Sequence, residues 1–254
     1  KYSVAVDIAS EQGQGLIQQM ALTADVIIEN YKAGSLAKYG LDYASLTKLN
    51  PQLVYCSITG FGQDGPRAEE PGYDFIIQGM SGLMSITGES DELPGGGAQK
   101  VGVAVVDIQT GLYSTVAIQA ALLARQHTGR GQYIDMSLLD VQVATLANQG
   151  MNYLTSGTAP KRMGNHHPNI VPYQTFKAKD KEFIIACGND KQFKDLCMAI
   201  GLPALVEDPK FQRNQDRVQH RDELITLLSE YFLAKHAKDW VEAIHAVKVP
   251  VGVI

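Results

Sequence analysis

Asp140 ends the run GRGQYIDMSLLD (129–140), and its surroundings suit a carboxylate that acts as a nucleophile. Gly129 and Gly131 make a turn after a helix. Ile134, Met136 and Leu138 then alternate with Tyr133, Asp135 and Ser137, the period of a strand. Val141, Val143, Leu146 and Met151 continue at helical spacing, so Asp140 is expected at the start of a helix reaching about Tyr153. There the unpaired N–H groups and the positive end of the helix favour the ionised form. An ionised, poorly solvated carboxylate is one of the nucleophiles that form covalent intermediates. The competing reading is structural. Asp is among the best N-caps, worth about 1 kcal/mol, and most aspartates at such junctions only cap.

Other residues of chemical type read more plainly. Tyr73, in PGYDFIIQGMSG (71–82), can donate a hydrogen bond to a carboxylate or another oxygen acceptor. Its bland alternative is a half-buried ring with a wet hydroxyl. Asn30 suits the closing of a turn, and Lys32 and Lys38 are by default solvated charges. His166 and His167 are adjacent on an extended, Pro-punctuated segment, so they point different ways. No third ligand lies nearby, and no metal site is expected. Cys56, Cys187 and Cys197 show no CxxC or Cys/His spacing, and Cys56 and Cys187 sit in apolar runs that bury small thiols. The polar, Gly-rich stretch 88–100 lacks phosphate-loop spacing and reads as a flexible linker.

The elements that must position these residues follow a strand–helix–strand rhythm. Residues 2–8 alternate like a strand, 12–24 look helical, 25–30 and 53–59 are short apolar strands, and the loop 60–66 (GFGQDGP) follows the second. That order predicts an α/β protein with a parallel sheet, whose ligands collect at the carboxyl ends of the strands. Asn30, Tyr31, Lys32 and the 60–66 loop fall there. Residues 103–126 predict a long helix capped near Asp107, apolar nearly all round and therefore buried. Beyond a break at 155–160, residues 176–187 resemble a hairpin around Asp180. Helices from 188, over 215–235 and over 238–247 complete a smaller unit with Trp240 as a core anchor.

The bulk composition excludes some function classes. The chain has 254 residues, 45% hydrophobic and 19% charged, as an ordinary globular protein has. A net charge of −5 without a basic run argues against nucleic-acid binding, so an anionic ligand needs local cations. No apolar stretch is long enough to span a membrane. The odd cysteine count and the lack of an Asn-x-Ser/Thr sequon fit a reducing compartment, the cytoplasm or a mitochondrial matrix. The chain starts at Lys1 in mid-pattern and ends abruptly in VPVGVI, and it is expected to be a fragment.

Several motifs in order, ENYKAG (29–34), SITGFGQDGP (57–66), GRGQYIDMSLLD (129–140) and HPxxxPYQxF (167–176), resemble family III CoA-transferases along the whole chain. The resemblance implies a Rossmann-like parallel-sheet large domain that binds CoA (1–160), a linker (161–175) and a smaller α+β domain (176–254). Asp140 matches the family's nucleophilic aspartate, and Asn30, Tyr31 and Lys38 match positions lining the CoA site, with Lys38 toward the phosphates. Tyr73 stands where the family's racemase branch has histidine; tyrosine does not titrate near neutrality, which disfavours proton shuttling. The implied activity moves CoA from an acyl-CoA to a small carboxylic acid through aspartyl anhydride and aspartyl-CoA intermediates. Backbone N–H groups at the helix start would hold the oxyanion. No cofactor is permanently bound; CoA and acyl-CoA are substrates. A homodimer is implied, interlocked in the full-length form. An acyl-CoA racemase and a catalytically incomplete CoA-binding fragment are the alternatives.

Overall fold

The apolar runs VIIE and VYCSIT find their backbone partners in each other. A computed structural model describes all 254 residues, Lys1–Ile254. In it β1 (Val26–Glu29) pairs with β2 (Val54–Thr59), and β2 with β3 (Tyr133–Ser137), all parallel in the order β1-β2-β3. Parallel neighbours need crossovers, and helices supply them. α1 (Glu11–Ala21) precedes β1, with the Ser10 hydroxyl accepting from Gly13 N. A 3₁₀ turn (Ala37–Tyr39) and α2 (Tyr43–Leu49) join β1 to β2. α3 (Asp74–Met80), α4 (Leu83–Ile86) and α5 (Val105–Thr128) join β2 to β3. α6 (Leu138–Ala144) starts directly after the last residue of β3, and α7 (Ala147–Ser156) follows. Two apolar clusters fill this unit. One gathers Ala21, Leu41, Leu46, Leu53 and Tyr55; the other joins Ile77 of α3, Val106 of α5 and Leu138 of α6.

Four local expectations change. Residues 2–8 form no strand: Tyr2 and Val4 are exposed, and alternation alone makes no ladder without a neighbouring strand. The helix expected to run from Asp140 to Tyr153 is two, because the chain breaks at Thr145–Leu146 and Ala147 takes a positive φ of 50°. α5 is not capped by Asp107. Ala104 holds the cap position, and the carboxylate of Asp74 on α3 accepts from Val106 N at 2.9 Å instead. Nor is α5 buried all round. Its covered face carries Val106, Thr110, Ser114 and Ala121, while Ile108, Leu112 and Val116 stand exposed.

The contacts of the chain divide it into residues 1–88 with 97–162 and residues 89–96 with 163–254. The second unit holds β4 (Tyr173–Lys177) and β5 (Glu182–Ala186), an antiparallel hairpin around Asp180, with β6 (Val251–Val253) antiparallel to β5. Its helices are α8 (Asp190–Ile200), α9 (Ala204–Glu207), α10 (Asn214–Gln219), α11 (Arg221–Phe232) and α12 (Ala237–Ala246). Charged residues 215–235 are thus two helices rather than one. Phe232 meets Phe176, Phe183 and Trp240 edge-on at 5.0, 5.2 and 5.2 Å, the favoured aromatic arrangement. The Trp240 indole N–H donates to Phe232 O at 2.8 Å, so the core anchor is also satisfied. Fully buried Arg217 donates to the carbonyls of Val171, Phe211 and Gln212 and to Asp190. Residues 89–96, read from sequence as linker, belong to this unit by contact, as does 163–175, whose end is the start of β4.

Candidate active site

The carboxyl ends of β1 and β2 open on a cavity of about 160 Å³. Asn30, Tyr31 and Lys32, just past β1, form one wall; Ile58, Thr59 and Gly60 at the end of β2 form another; Glu69, Glu70, Gly72 and Tyr73 close the third. The walls are held by short links. Asn30 Nδ2 donates to Ile58 O at 2.6 Å, tying the two strand ends together, and Tyr31 N donates to the Glu29 carboxylate at 2.8 Å. A Cβ placed on Gly60 would lie 2.5 Å from Gly72 Cα, so only a glycine pair lets the end of β2 approach the chain leading into α3. That approach brings Tyr73, the residue before α3, to the cavity with its ring 75% exposed.

Asp140 stands beside this wall. Leu139 N donates to Gly60 O at 3.1 Å, and the Ser137 hydroxyl reaches the same oxygen at 3.5 Å. The start of α6 is thereby fastened to a residue that lines the cavity. α3 packs on α6 through Ile77 and Leu138. The structure changes the expected role of Asp140 in the helix. Ser137 is the N-cap, and its hydroxyl accepts from Asp140 N at 3.3 Å, so Asp140 is the third residue of the first turn. The Asp140 side chain is exposed, and no hydrogen bond or ion pair engages its carboxylate. The expectation of oxyanion donors at the helix start also changes. Leu139 N–H and Asp140 N–H are both committed, to Gly60 and to Ser137. Tyr73 lines the cavity, is largely exposed, and its hydroxyl has no partner within the protein.

Sequence reasoning thus placed Asn30, Tyr31 and Tyr73 on residues that the structure brings into one cavity, with Asp140 next to its Gly60 wall. Lys38 lines neither this cavity nor the smaller one described below. It lies exposed on the 3₁₀ turn with its ammonium 4.6 Å from the Tyr39 ring. Lys32, read as a solvated charge, lines the cavity instead. Its signal was positional: it follows Asn30 and Tyr31 directly past β1.

Lys32 also borders a smaller cavity of about 40 Å³ between Glu29, Asp42, Tyr43, Tyr55, Ser57, Gln63 and Tyr133. Tyr43 and Tyr133 stack at 5.0 Å, and the Tyr133 hydroxyl bonds Ser57 Oγ at 3.2 Å. Burial above all, then the nearby Glu29 charge, pushes the Tyr55 phenol up and keeps it protonated. Burial likewise raises Tyr133. Asp42 Oδ1 and Gln63 Nε2 are buried here with no partner in the protein. No group of three or more His, Cys, Asp or Glu is placed to hold a metal, and no helix is long and apolar enough to cross a membrane.

Comparison with known proteins supplies what geometry alone does not. The model of "CoA-transferase family III" matches residues 1–254. The succinate–glutarate CoA-transferase of Agrobacterium fabrum is 52% identical over 254 residues, all of this chain and 62% of that enzyme. The acetyl-CoA:oxalate CoA-transferase of Acetobacter aceti is 40% identical over 252 residues, 99% of this chain and 64% of that enzyme. A crystal structure of a CAIB/BAIF family protein from Brucella suis superposes with a TM-score of 0.80 at 52% identity, covering 100% of this chain and 66% of that one. The chain therefore spans a little under two thirds of the length of these relatives.

Proposed function

Because the chain belongs to CoA-transferase family III, we propose that it moves CoA from an acyl-CoA thioester to a small carboxylic acid, with Asp140 as the covalent nucleophile. The observation that carries the reading is the Asp140 carboxylate: exposed, without a partner, relieved of capping by Ser137, and one residue past Leu139, whose N–H bonds the cavity-lining Gly60. A carboxylate that does nothing for the fold is free to react. In the first step an Asp140 oxygen attacks the thioester carbonyl, the C–S bond breaks, and CoA leaves as thiolate, leaving an aspartyl–acyl anhydride. The thiolate attacks the aspartyl carbonyl, expelling the donor acid as a carboxylate and leaving an aspartyl-CoA thioester. The acceptor carboxylate attacks that thioester, releasing thiolate and forming a new anhydride. The thiolate then takes the acceptor acyl group and restores Asp140. Each step expels a carboxylate or thiolate, so a direct exchange with a poor pathway becomes four feasible ones.

Tyr73 serves this sequence as a hydrogen-bond donor to the developing oxyanion, a role its unpartnered hydroxyl fits. Asn30 and Tyr31 border the thioester end of CoA. Lys38, outside the cavity, suits the phosphate end of a ligand too long for 160 Å³, where lysine acts as a point charge. The acids named for the relatives, succinate, glutarate and oxalate, point to dicarboxylic acids as the substrate class. The protein and its Asp140→Asn variant, mixed with succinyl-CoA and trapped with hydroxylamine or borohydride, test the reading by peptide mass. Modification at Asp140 that the variant lacks supports it. An unmodified Asp140 across a panel of acyl-CoAs, or α-proton exchange from deuterated water without CoA transfer, overturns it.

A further inference from the structure

We propose that Gln78 is a positioning residue: through Asp74 it fixes the start of α3, and with it Tyr73, at the cavity wall. This rests on the reading above, in which the Tyr73 hydroxyl holds the oxyanion. Tyr73 has no anchor of its own. It occupies the cap position of α3 with no side-chain capping bond, and its ring stands exposed. Its place is therefore set by its chain neighbours. Gly72 meets Gly60 on one side; on the other, Asp74 is tied to the stretch that leads into α5.

The tie is a chain of three hydrogen bonds. Val101 N donates to Gln78 Oε1 at 2.8 Å, Gln78 Nε2 donates to Asp74 Oδ2 at 2.8 Å, and Val106 N donates to Asp74 Oδ1 at 2.9 Å. The first turn of α3 is thereby closed on itself and fastened to residues 101–106. Val106 N is one of the donors that the start of a helix leaves without a partner inside it. Gln78 is fully buried, where an unbonded amide is costly and an apolar side chain would fill the space without that cost. Both of its amide atoms are used here. A fully bonded buried network of this kind enforces one arrangement.

The two ends of the chain dictate the chemistry between them. Both ends are backbone N–H groups, so the two side chains must offer each an acceptor and still bond one another. A carboxylate beside a primary amide does this. Two amides leave one of the three bonds unmade, whichever way they are turned. Exchanging the groups, with the amide at position 74 and the carboxylate at position 78, satisfies all three again.

The test measures CoA transfer from succinyl-CoA to glutarate by the full chain, per folded molecule. Asp74→Asn and Gln78→Met are each expected to lower kcat by at least about tenfold, within the hundredfold or so that a misplacement of about 1 Å can cost. KM is expected to change little, because the positioned group acts in the transition state. In a Tyr73→Phe background the same substitutions are expected to cost less than about threefold, since the group they position is gone. Asp74→Asn combined with Gln78→Glu is expected to bring kcat back to within about threefold of the native value. Losses that simply multiply with that of Tyr73→Phe overturn the proposal. So does a folded exchanged pair as slow as Asp74→Asn alone, which would make the Asp74 carboxylate itself a reacting group. Should the exchanged pair not fold, the Tyr73→Phe comparison decides. A second measurement needs no turnover: in protein labelled with fluorotyrosine, the fluorine resonance lost in Tyr73→Phe reports the surroundings of that ring. If the native protein transfers no CoA, the transfer reading fails. Gln78 then stands as a positioning residue only if Asp74→Asn and Gln78→Met each shift or broaden that resonance, and an unchanged resonance overturns it.

Discussion

Neither oxygen of the Asp140 side chain is bonded, whereas its backbone N–H is held by the Ser137 hydroxyl at 3.3 Å. Two substitutions separate these jobs. Asp140→Asn removes the charge and no fold contact, so the unfolding free energy is expected to change by no more than about 0.5 kcal/mol. CoA transfer should fall by more than about a thousandfold, the scale of losing a covalent nucleophile. Ser137→Ala is expected to do the reverse in kind, costing about 1 kcal/mol of stability as a lost N-cap. Equal destabilisation of the two variants in urea titrations would return Asp140 to a structural role. Tyr73→Phe keeps the ring and deletes the donor. Its kcat is expected to fall by about a hundredfold if the hydroxyl holds the oxyanion, and an unchanged kcat would assign that work to other groups.

The same residues depend on how β2, α3 and α6 meet, and here the Gly60–Gly72 contact decides the geometry. Gly72→Ala puts a methyl group against the Gly60 backbone, an overpacking expected to cost about 1–3 kcal/mol. It also moves Tyr73, so transfer should drop more than the loss of folded protein accounts for; activity that tracks folded fraction alone would argue that the contact does not position the site. This level was partly legible. The runs at 25–30, 53–59 and 133–138 announced strands because each is apolar and bounded by turns, and the strand ends carried Asn30, Tyr31 and Gly60 where ligands collect. Residues 2–8 carried the same alternation and formed no ladder, since a strand is a property of two segments. α5 misled for a related reason. Its apolar residues were counted round the helix, but the side facing the sheet takes small residues such as Ser114 and Ala121, and Asp74, more than thirty residues away, satisfies its first turn. The sequence could not show that Ser137 rather than Asp140 caps α6, because both residue types cap well and both fall at the junction.

Across the whole chain, the two units keep their reporters apart. Cys56 belongs to the first, Cys187 and Cys197 to the second, and all three thiols are buried. Burial pushes Cys187 and Cys197 up to about 12. A disulfide reagent should therefore label none of the three in the native protein and all in denaturant; rapid native labelling would contradict the packing. The lone tryptophan, Trp240, is in the core of the second unit, so its fluorescence follows that unit's unfolding. That signal reads a pH effect centred on His166. Burial first, then the Arg221 charge, holds the His166 imidazole below its ordinary value, with Glu89 and Asp222 opposing; His167 is lowered by burial and Arg221 as well. In the unfolded chain both histidines titrate near about 6.5. Below that pH the unfolded chain binds protons that the fold refuses, so stability is complete above about 6.5 and is lost as pH falls from there through the lowered folded values. The acidic groups with lowered values, Asp180 and Asp216, act only at lower pH, since carboxylates titrate near about 4 when unfolded. Urea midpoints from Trp240 fluorescence are expected to decline between about pH 7 and pH 5. The decline should shrink in His166→Gln, which keeps a neutral polar group in the same place. A midpoint flat over that range, or a slope the substitution leaves unchanged, would show that the imidazole of His166 is as easily protonated in the fold as in water.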